Sequence, residues 1–194
     1  MRRRTFDALM ITAGLALAAV LTVGGGLLTW AHSFVSAQVG TQLAAQQIYF
    51  PERGSDALAD PAIKPYLSQY AGQQLTTGEQ AKAYADHFIA VHIDEMTQGQ
   101  TYAELSAKSL ANPDDQKLAG LVNTVFKGET LRGLLLNAYA FWKVGQIALV
   151  ASIVSFVLAG VMLILSAFGL VHLRRVRPEE EFLAPRTREP QTVS

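Results

Sequence analysis

One run of ten residues, "DHFIAVHIDE" at positions 86–95, concentrates side chains that bind metals or move protons, with two histidines and three carboxylates. Two histidines that bind one zinc ion from the same helix need to be four residues apart, so that both rings point the same way. His87 and His92 are five apart, and at about 100° per residue their directions diverge by about 140°. We therefore expect neither a shared metal ion nor a bound cofactor here.

The helical spacing assigns the two histidines to different faces. Counted from Ala81, His92 falls within about 80° of the apolar side, whereas His87 falls on the polar side with Asp86. His92 is predicted to be a buried histidine that is hydrogen-bonded by a neighbour, with Glu95 as the nearest candidate. The alternative is a pH-sensitive contact, because histidine titrates near neutral pH.

Other catalytic motifs are missing from the sequence. It has no GxSxG nucleophile elbow, no cysteine, and no glycine-rich phosphate loop outside an apolar run. Asp114 and Asp115 are explained by the favourable field at a helix start. No catalytic residue is predicted, and the sequence favours a protein that is not an enzyme.

Two charge-free apolar blocks set the architecture. Because a helix rises about 1.5 Å per residue and the bilayer's hydrocarbon is about 30 Å thick, roughly 20 apolar residues are enough to span it. We predict transmembrane helices at residues 8–31 and 146–171. Neither contains an ionisable side chain, so transport by this chain alone is not expected.

Basic residues near the two blocks predict their orientation, since Lys and Arg are retained on the cytoplasmic side. They are Arg2, Arg3 and Arg4 before the first block, and Arg174, Arg175 and Arg177 after the second. The chain is therefore expected in the cell membrane as a multi-pass protein, with residues 1–7 and 172–194 cytoplasmic and residues 32–145 outside. Aromatic residues that mark the outer membrane interface are Trp30, Tyr139 and Trp142.

A cleaved signal peptide is the alternative to the first span. "VSA" at residues 35–37 has the small side chains that signal peptidase prefers, which would place cleavage after Ala37. The apolar run exceeds the roughly 7 to 15 residues of a signal core, which favours a retained anchor.

Small residues repeat in both spans, which lets helix backbones approach closely. They are Gly14, Ala18, Thr22 and Gly26 in the first span, and Ala148, Ser152, Ser155 and Ala159 in the second. Either these ladders pack the two spans against each other, or they dock onto another membrane protein.

Helix signals recur between the spans, and strand signals do not. Capping boxes at Thr77–Gln80 and Thr101–Glu104 each predict a helix start. Another helix is predicted from Asn112, its cap, to Gly128, its stop, followed by a helix that runs into the second span. The first span is expected to continue as a helical stalk towards Phe50.

Composition narrows the range of partners. Residues 32–145 carry eight Lys or Arg against eleven Asp or Glu, and this mild acidity argues against nucleic acid. The absence of cysteine excludes a disulfide-stapled module. The expected partners are the lipid bilayer and another membrane or envelope protein, or a second copy of the chain.

The runs "GEQAKAYADHFIAVHIDEMTQGQTYAELSAKS" and "GETLRGLLLNAYAFW", followed by the closing span, resemble a group of uncharacterised two-span membrane proteins of high-GC Gram-positive bacteria. The resemblance covers residues from about 42 to 171. Some of the group carry the label aromatic ring-opening dioxygenase, whose iron chemistry generally needs two histidines and a carboxylate converging on one metal. The diverging histidines of this sequence give that label little support.

Together these features predict an all-α protein, a transmembrane helical hairpin with an inserted small helical extracytoplasmic domain. We expect it to act by contact, as an interaction, accessory or sensing protein. A membrane-tethered enzyme or ligand-binding domain is the alternative.

Overall fold

The computed structural model describes residues 3–175 and is helical throughout, without a strand in that range apart from an isolated bridge between Tyr49 and Gln74. Expectations for residues 1–2 and for the tail at 176–194, including Arg2 and Arg177, lie outside the described residues. The α-helices are α1 (Arg3–Ala45), α2 (Lys64–Leu67), α3 (Gly78–Tyr84), α4 (Ala90–Thr97), α5 (Tyr102–Ala111) and α6 (Gln116–Arg175). Short 3₁₀ turns cover Asp56–Leu58 and Ser68–Tyr70.

The chain divides into two compact units. The terminal unit comprises Met1–Thr29 and Leu149–Ser194, and the middle unit comprises Trp30–Ala148. Helices α1 and α6 contribute residues to both. By length and composition, these two helices are long and apolar enough to cross a membrane.

In the terminal unit, the buried positions of α1 and α6 recur every seven residues. On α1 they are Ile11, Ala18 and Gly25, and on α6 they are Ser152, Ala159 and Ser166. Seven residues advance a helix by almost two whole turns, so such positions stay on one face. A hydroxyl bond of 2.6 Å joins Thr29 and Ser152 across the contact.

Only part of the predicted small-residue ladders lies at this contact. Of the eight residues, those buried there or directly against the other helix are Gly14, Ala18, Ser152 and Ala159. Thr22 and Ser155 instead bond carbonyls of their own helices, and a Cβ added at Gly26 would meet no atom of another element within 4 Å. The reason is geometric: each four-residue step of the first ladder drifts by about 40° around the helix and leaves the contact face, and Ser155, three residues after Ser152, is turned by about 60° from it. Ala148 belongs to the middle unit, where it is half-buried.

The middle unit buries large side chains. Leu67, Leu75 and Val125 are completely buried, and the same core includes Val39 from α1 and Leu135 from α6. Removing such apolar surface from water is the main favourable term in folding a water-exposed unit. The short helices are therefore held by the core that they share with α1 and α6.

Both predicted capping boxes are present. The Thr77 and Thr101 hydroxyls accept backbone N–H groups of Gln80 and Glu104, and the Gln80 and Glu104 side chains accept in return. The stalk prediction also holds, because α1 continues fifteen residues beyond Trp30, to Ala45.

Two predicted helix limits are wrong. Asn112 ends α5 and does not cap α6, whose first N–H groups are accepted by the Asp115 carboxylate. Gly128 does not stop a helix, because α6 is a single helix of 60 residues. A Cβ at Gly128 would lie 2.9 Å from Ile93 Cδ1, so the missing side chain serves a close approach between helices.

Candidate binding groove of the middle unit

The run of histidines and carboxylates at residues 86–95 overlaps a π-helical turn, Ala85–Ile89, which lies between α3 and α4. Buried residues fall at every fourth position around it, namely Ala81, Ala85, Ile89, Ile93 and Thr97. On a regular α-helix such a series would drift off one face, but a π turn holds more residues per turn and so corrects the drift. Counted from Ala81 on a regular α-helix, Met96 is expected on the apolar side with His92, but beyond this turn Met96 is 45% exposed.

The two histidines have separate neighbours. His92 is half-buried, and its Nδ1 donates to the Phe88 carbonyl at 2.8 Å, in place of the expected Glu95, which is exposed. The His87 ring is stacked on Tyr66, with centroids 3.5 Å apart. Among the described residues, no group of three or more His, Cys, Asp or Glu side chains could hold a metal ion.

Asp86 has a structural role between helices. Its carboxylate pairs with Lys82 one turn earlier and with Arg132 of α6 at 3.6 Å. Lys82 also lies over the Tyr139 ring, 5.5 Å from its centroid. The Tyr84 ring contacts Phe50 and Phe88, and its partial burial raises the pKa of the Tyr84 hydroxyl.

The aromatic residues expected at the membrane interface occupy different environments. Trp30 is exposed and stacks on Phe34, with ring centroids 5.6 Å apart. Trp142 is half-buried against the backbone of Gly78, where a Cβ would overlap its side chain. Trp142 and Tyr139 thus pack within the middle unit.

The middle unit has an open groove of about 620 Å³ between α1 and α6, which we call the α1–α6 groove. Its lining consists of apolar and amide side chains. The α1 residues are Phe34, Val35, Gln38, Val39, Gln42, Leu43 and Gln46, and the α6 residues are Leu131, Leu134, Leu135, Asn137, Ala138 and Phe141.

The groove is uncharged along its whole length. Gln38, Gln42 and Gln46 follow one another at four-residue spacing along its α1 side, and Asn137 lies on its α6 side. Three large apolar side chains of the lining are exposed by more than half, Phe34, Leu134 and Phe141. The groove was not among the sequence predictions. The sequence feature that indicates the groove is the charge-free stretch of α6 between Arg132 and Lys143.

The described residues define an all-helical protein, in which two helices are long and apolar enough to cross a membrane. No protein-family model, no curated protein and no solved structure matches the chain.

Proposed function

We propose that this chain is a two-span protein of the cell membrane, with both termini cytoplasmic, whose extracytoplasmic helical domain binds a partner in the α1–α6 groove. Its role is that of a non-catalytic interaction, accessory or sensing protein. The observation that carries the proposal is the groove itself, which is open, apolar and free of charge.

The membrane placement is supported by the inverted packing of the terminal unit. Large apolar side chains such as Val20, Leu27 and Val157 point outwards, whereas the buried positions, apart from Ile11, are alanine, glycine and serine. In water this arrangement would expose far more apolar surface than a folded unit normally does. In lipid it is favourable, because close approach of helices and hydroxyl bonds between them drive association there.

Contact, and not catalysis, is supported by the groove lining. An active site is expected to bring a few polar or titratable groups together in an enclosed pocket. The α1–α6 groove is lined by aliphatic, aromatic and amide side chains, none of which acts as acid, base or nucleophile at neutral pH. Ring-opening iron chemistry also lacks support, since His87 and His92 engage different neighbours.

A ligand-binding domain is the second candidate. The groove volume of about 620 Å³ lies within the range of small-molecule sites, about 300 to 1,000 Å³. A hydrophobic ligand would occupy the same surface as a protein partner, so one experiment addresses both candidates.

The test places a photo-crosslinking amino acid at Leu134, in the groove, in the full chain within intact cells. The matched control is Leu110, which is even more exposed, at 81% against 63%, but lies on α5 away from the lining. We expect a discrete adduct from position 134 and little from position 110. Adding the charged substitution Phe141→Glu should suppress the adduct from position 134. Equal adducts at both positions, or none at position 134, would refute a binding groove.

A further inference from the structure

The terminal unit has a concave surface of its own between α1 and α6, with a volume of about 460 Å³. We call it the terminal cleft. It runs from Asp7 to Leu17 on α1 and from Met162 to His172 on α6. At about 1.5 Å per residue each side is about 15 Å long, half of the roughly 30 Å of a bilayer's hydrocarbon. The terminal cleft therefore has the length of one leaflet.

The register of the two helices brings the charged residues of the terminal cleft to the same end. The helices are antiparallel, because the hydroxyl bond described above joins a late residue of the first span to an early residue of the second. A Cβ at Gly169 would lie 2.8 Å from Ile11 Cγ1, so these two residues face each other. Asp7 is four residues before Ile11, and His172 is three residues after Gly169, which places both at one level.

The lining of the terminal cleft changes from charged to apolar along its length. Among the described residues that line it, the ionisable ones are Asp7 and His172, and the others are apolar apart from Ser166. Asp7 and His172 each lie one position outside the charge-free spans predicted from the sequence. Met10 and Leu165 are more than half exposed, so the cleft is open to the surroundings of the terminal unit. Such a lining suits an amphiphile that has a polar head and an apolar tail.

One buried atom at the charged end lacks a partner. Oδ2 of Asp7 is buried and, within the described part of the chain, accepts no hydrogen bond. A buried carboxylate oxygen without a donor is costly, and a positively charged donor removes that cost. A bare metal ion fits poorly, because Ca²⁺ and Mg²⁺ need several oxygen ligands and no group of three or more ligand side chains occurs among the described residues. The missing donor is therefore expected on an organic cation.

Basic side chains lie just beyond the charged end. Arg4 is three residues before Asp7, and Arg174 is two residues after His172, and both are exposed. A guanidinium group binds phosphate oxygens well. The charged end thus offers cations for a phosphate and one carboxylate for an ammonium group.

From the length, the lining and the unpaired carboxylate oxygen, we infer that the terminal cleft binds one phospholipid of the cytoplasmic leaflet whose headgroup carries a primary ammonium group. The ammonium donates to Asp7, the phosphate lies beside Arg4 and Arg174, and an acyl chain follows the cleft towards Leu17. This inference rests on the proposed function in one respect, namely that the chain spans the membrane with both termini cytoplasmic. It does not involve the α1–α6 groove.

A transmembrane helix of another protein suits the terminal cleft less well. The backbone N–H groups of such a helix are already bonded within it, so they leave the Asp7 oxygen unpaired. The cleft also covers only half of the hydrocarbon thickness. Further along, Ala18 and Ala159 are buried in the helix contact, and a Cβ at Gly25 would lie 3.1 Å from the Phe156 ring.

Retention of lipid by the full chain tests the inference. The chain is placed in nanodiscs of equal parts phosphatidylethanolamine, phosphatidylcholine and phosphatidylglycerol with identical acyl chains, extracted in mild detergent, and analysed by native mass spectrometry. We expect one retained phosphatidylethanolamine per chain, preferred by about tenfold or more over phosphatidylcholine, whose quaternary ammonium has no N–H to donate. Equal retention of the three lipids, or a preference for phosphatidylglycerol, would overturn the inference.

Two substitutions locate the lipid. Asp7→Asn keeps the shape of the side chain and should abolish the preference for phosphatidylethanolamine over phosphatidylcholine. Ala13→Trp fills the terminal cleft and should abolish retention of any lipid, whereas Ala16→Trp, at an exposed position on α1 outside the lining, should leave retention unchanged. Helical circular dichroism confirms that the variants fold. A preference that survives Asp7→Asn, or equal retention by the two tryptophan variants, would contradict the inference.

These outcomes are separate from those for the α1–α6 groove. Loss of the lipid preference with an intact photo-adduct at position 134 would refute the lipid site and retain the binding groove. A specific lipid in the terminal cleft without an adduct at position 134 would do the reverse.

Discussion

The terminal unit buries mostly small side chains between its helices, whereas the core of the middle unit is built mostly from large ones. Ala18 and Ala159 are buried in the first, and Leu67 and Leu75 are buried in the second. Helices α1 and α6 take part in both arrangements, so helix length and propensity do not explain the difference. The surfaces of the two units are suited to different surroundings.

The difference between the two units shows how the choice of buried side chains depends on whether the surroundings are water or lipid. A unit in water gains stability by removing large apolar side chains from solvent, so they lie inside. A unit in lipid gains nothing from hiding such side chains, and its helices associate through close backbone approach and a few polar bonds. Substitutions in each unit test this contrast.

Truncation of a core leucine tests whether the middle unit depends on apolar volume. Leu67 is 0% exposed, so Leu67→Ala should lower the free energy of unfolding by about 2 to 5 kcal/mol through lost burial and a residual cavity. Denaturant titration of the detergent-solubilised full chain, followed by circular dichroism, measures the change. Leu110→Ala is the control and should change the free energy of unfolding by no more than about 0.5 kcal/mol. Equal effects of the two substitutions would contradict the dependence of the middle unit on buried apolar volume.

Two glycine substitutions should have opposite signs in the same titration. At Gly78 an added Cβ meets the Trp142 side chain, so Gly78→Ala should cost about 1 to 3 kcal/mol by overpacking. At Gly120, inside α6, an added Cβ meets no atom of another element within 4 Å, so Gly120→Ala should stabilise the chain by about 0.5 to 1 kcal/mol. Stabilisation by both substitutions would mean that the Gly78–Trp142 contact is not tight.

Two serine substitutions test which face of α6 contacts α1 in the terminal unit. Ser152 bonds Thr29 of the other helix, so Ser152→Ala should cost about 0.6 kcal/mol, and up to about 2 kcal/mol, in thermal unfolding within lipid nanodiscs. Ser155 bonds Ala151 of its own helix, so Ser155→Ala should have a negligible effect. A larger loss at Ser155 would place the helix contact on a different face.

The smallest effect concerns pH at the start of α5. Hydrogen bonds from the Thr101 backbone N–H, and then from its hydroxyl, lower the pKa of Glu104. Because the pKa is lower in the folded state, its contribution is complete above the ordinary glutamate pKa and is lost as the pH falls through the lowered value. The stability of wild type relative to Glu104→Gln should therefore decline between about pH 5 and pH 3. A constant difference over that range would contradict the capping role.

Local signals in the sequence predicted part of the fold. The capping boxes at Thr77 and Thr101 are present, because each needs only residues three positions apart. The long apolar helices are also present, since their signal is composition alone. Both kinds of signal act within one helix and need no tertiary information.

Features that depend on two helices were missed. Gly128 reads as a helix stop, but it lies against Ile93 of α4, and this contact leaves no local trace. The π turn at Ala85–Ile89 moved Ile93 into the position expected for His92. The α1–α6 groove combines residues about a hundred positions apart, so only its lack of charge was readable in the sequence.

The most direct test of the account is the sidedness of the middle unit. Single cysteines at Gly54 and at Ser194, in a chain without any other cysteine, are exposed to a membrane-impermeant maleimide in intact cells. The account predicts labelling of Gly54→Cys in intact cells and of Ser194→Cys only after permeabilisation, with both proteins in the membrane fraction. Labelling of both in intact cells, or recovery of the chain in the soluble fraction, would contradict a membrane hairpin with an outer binding domain.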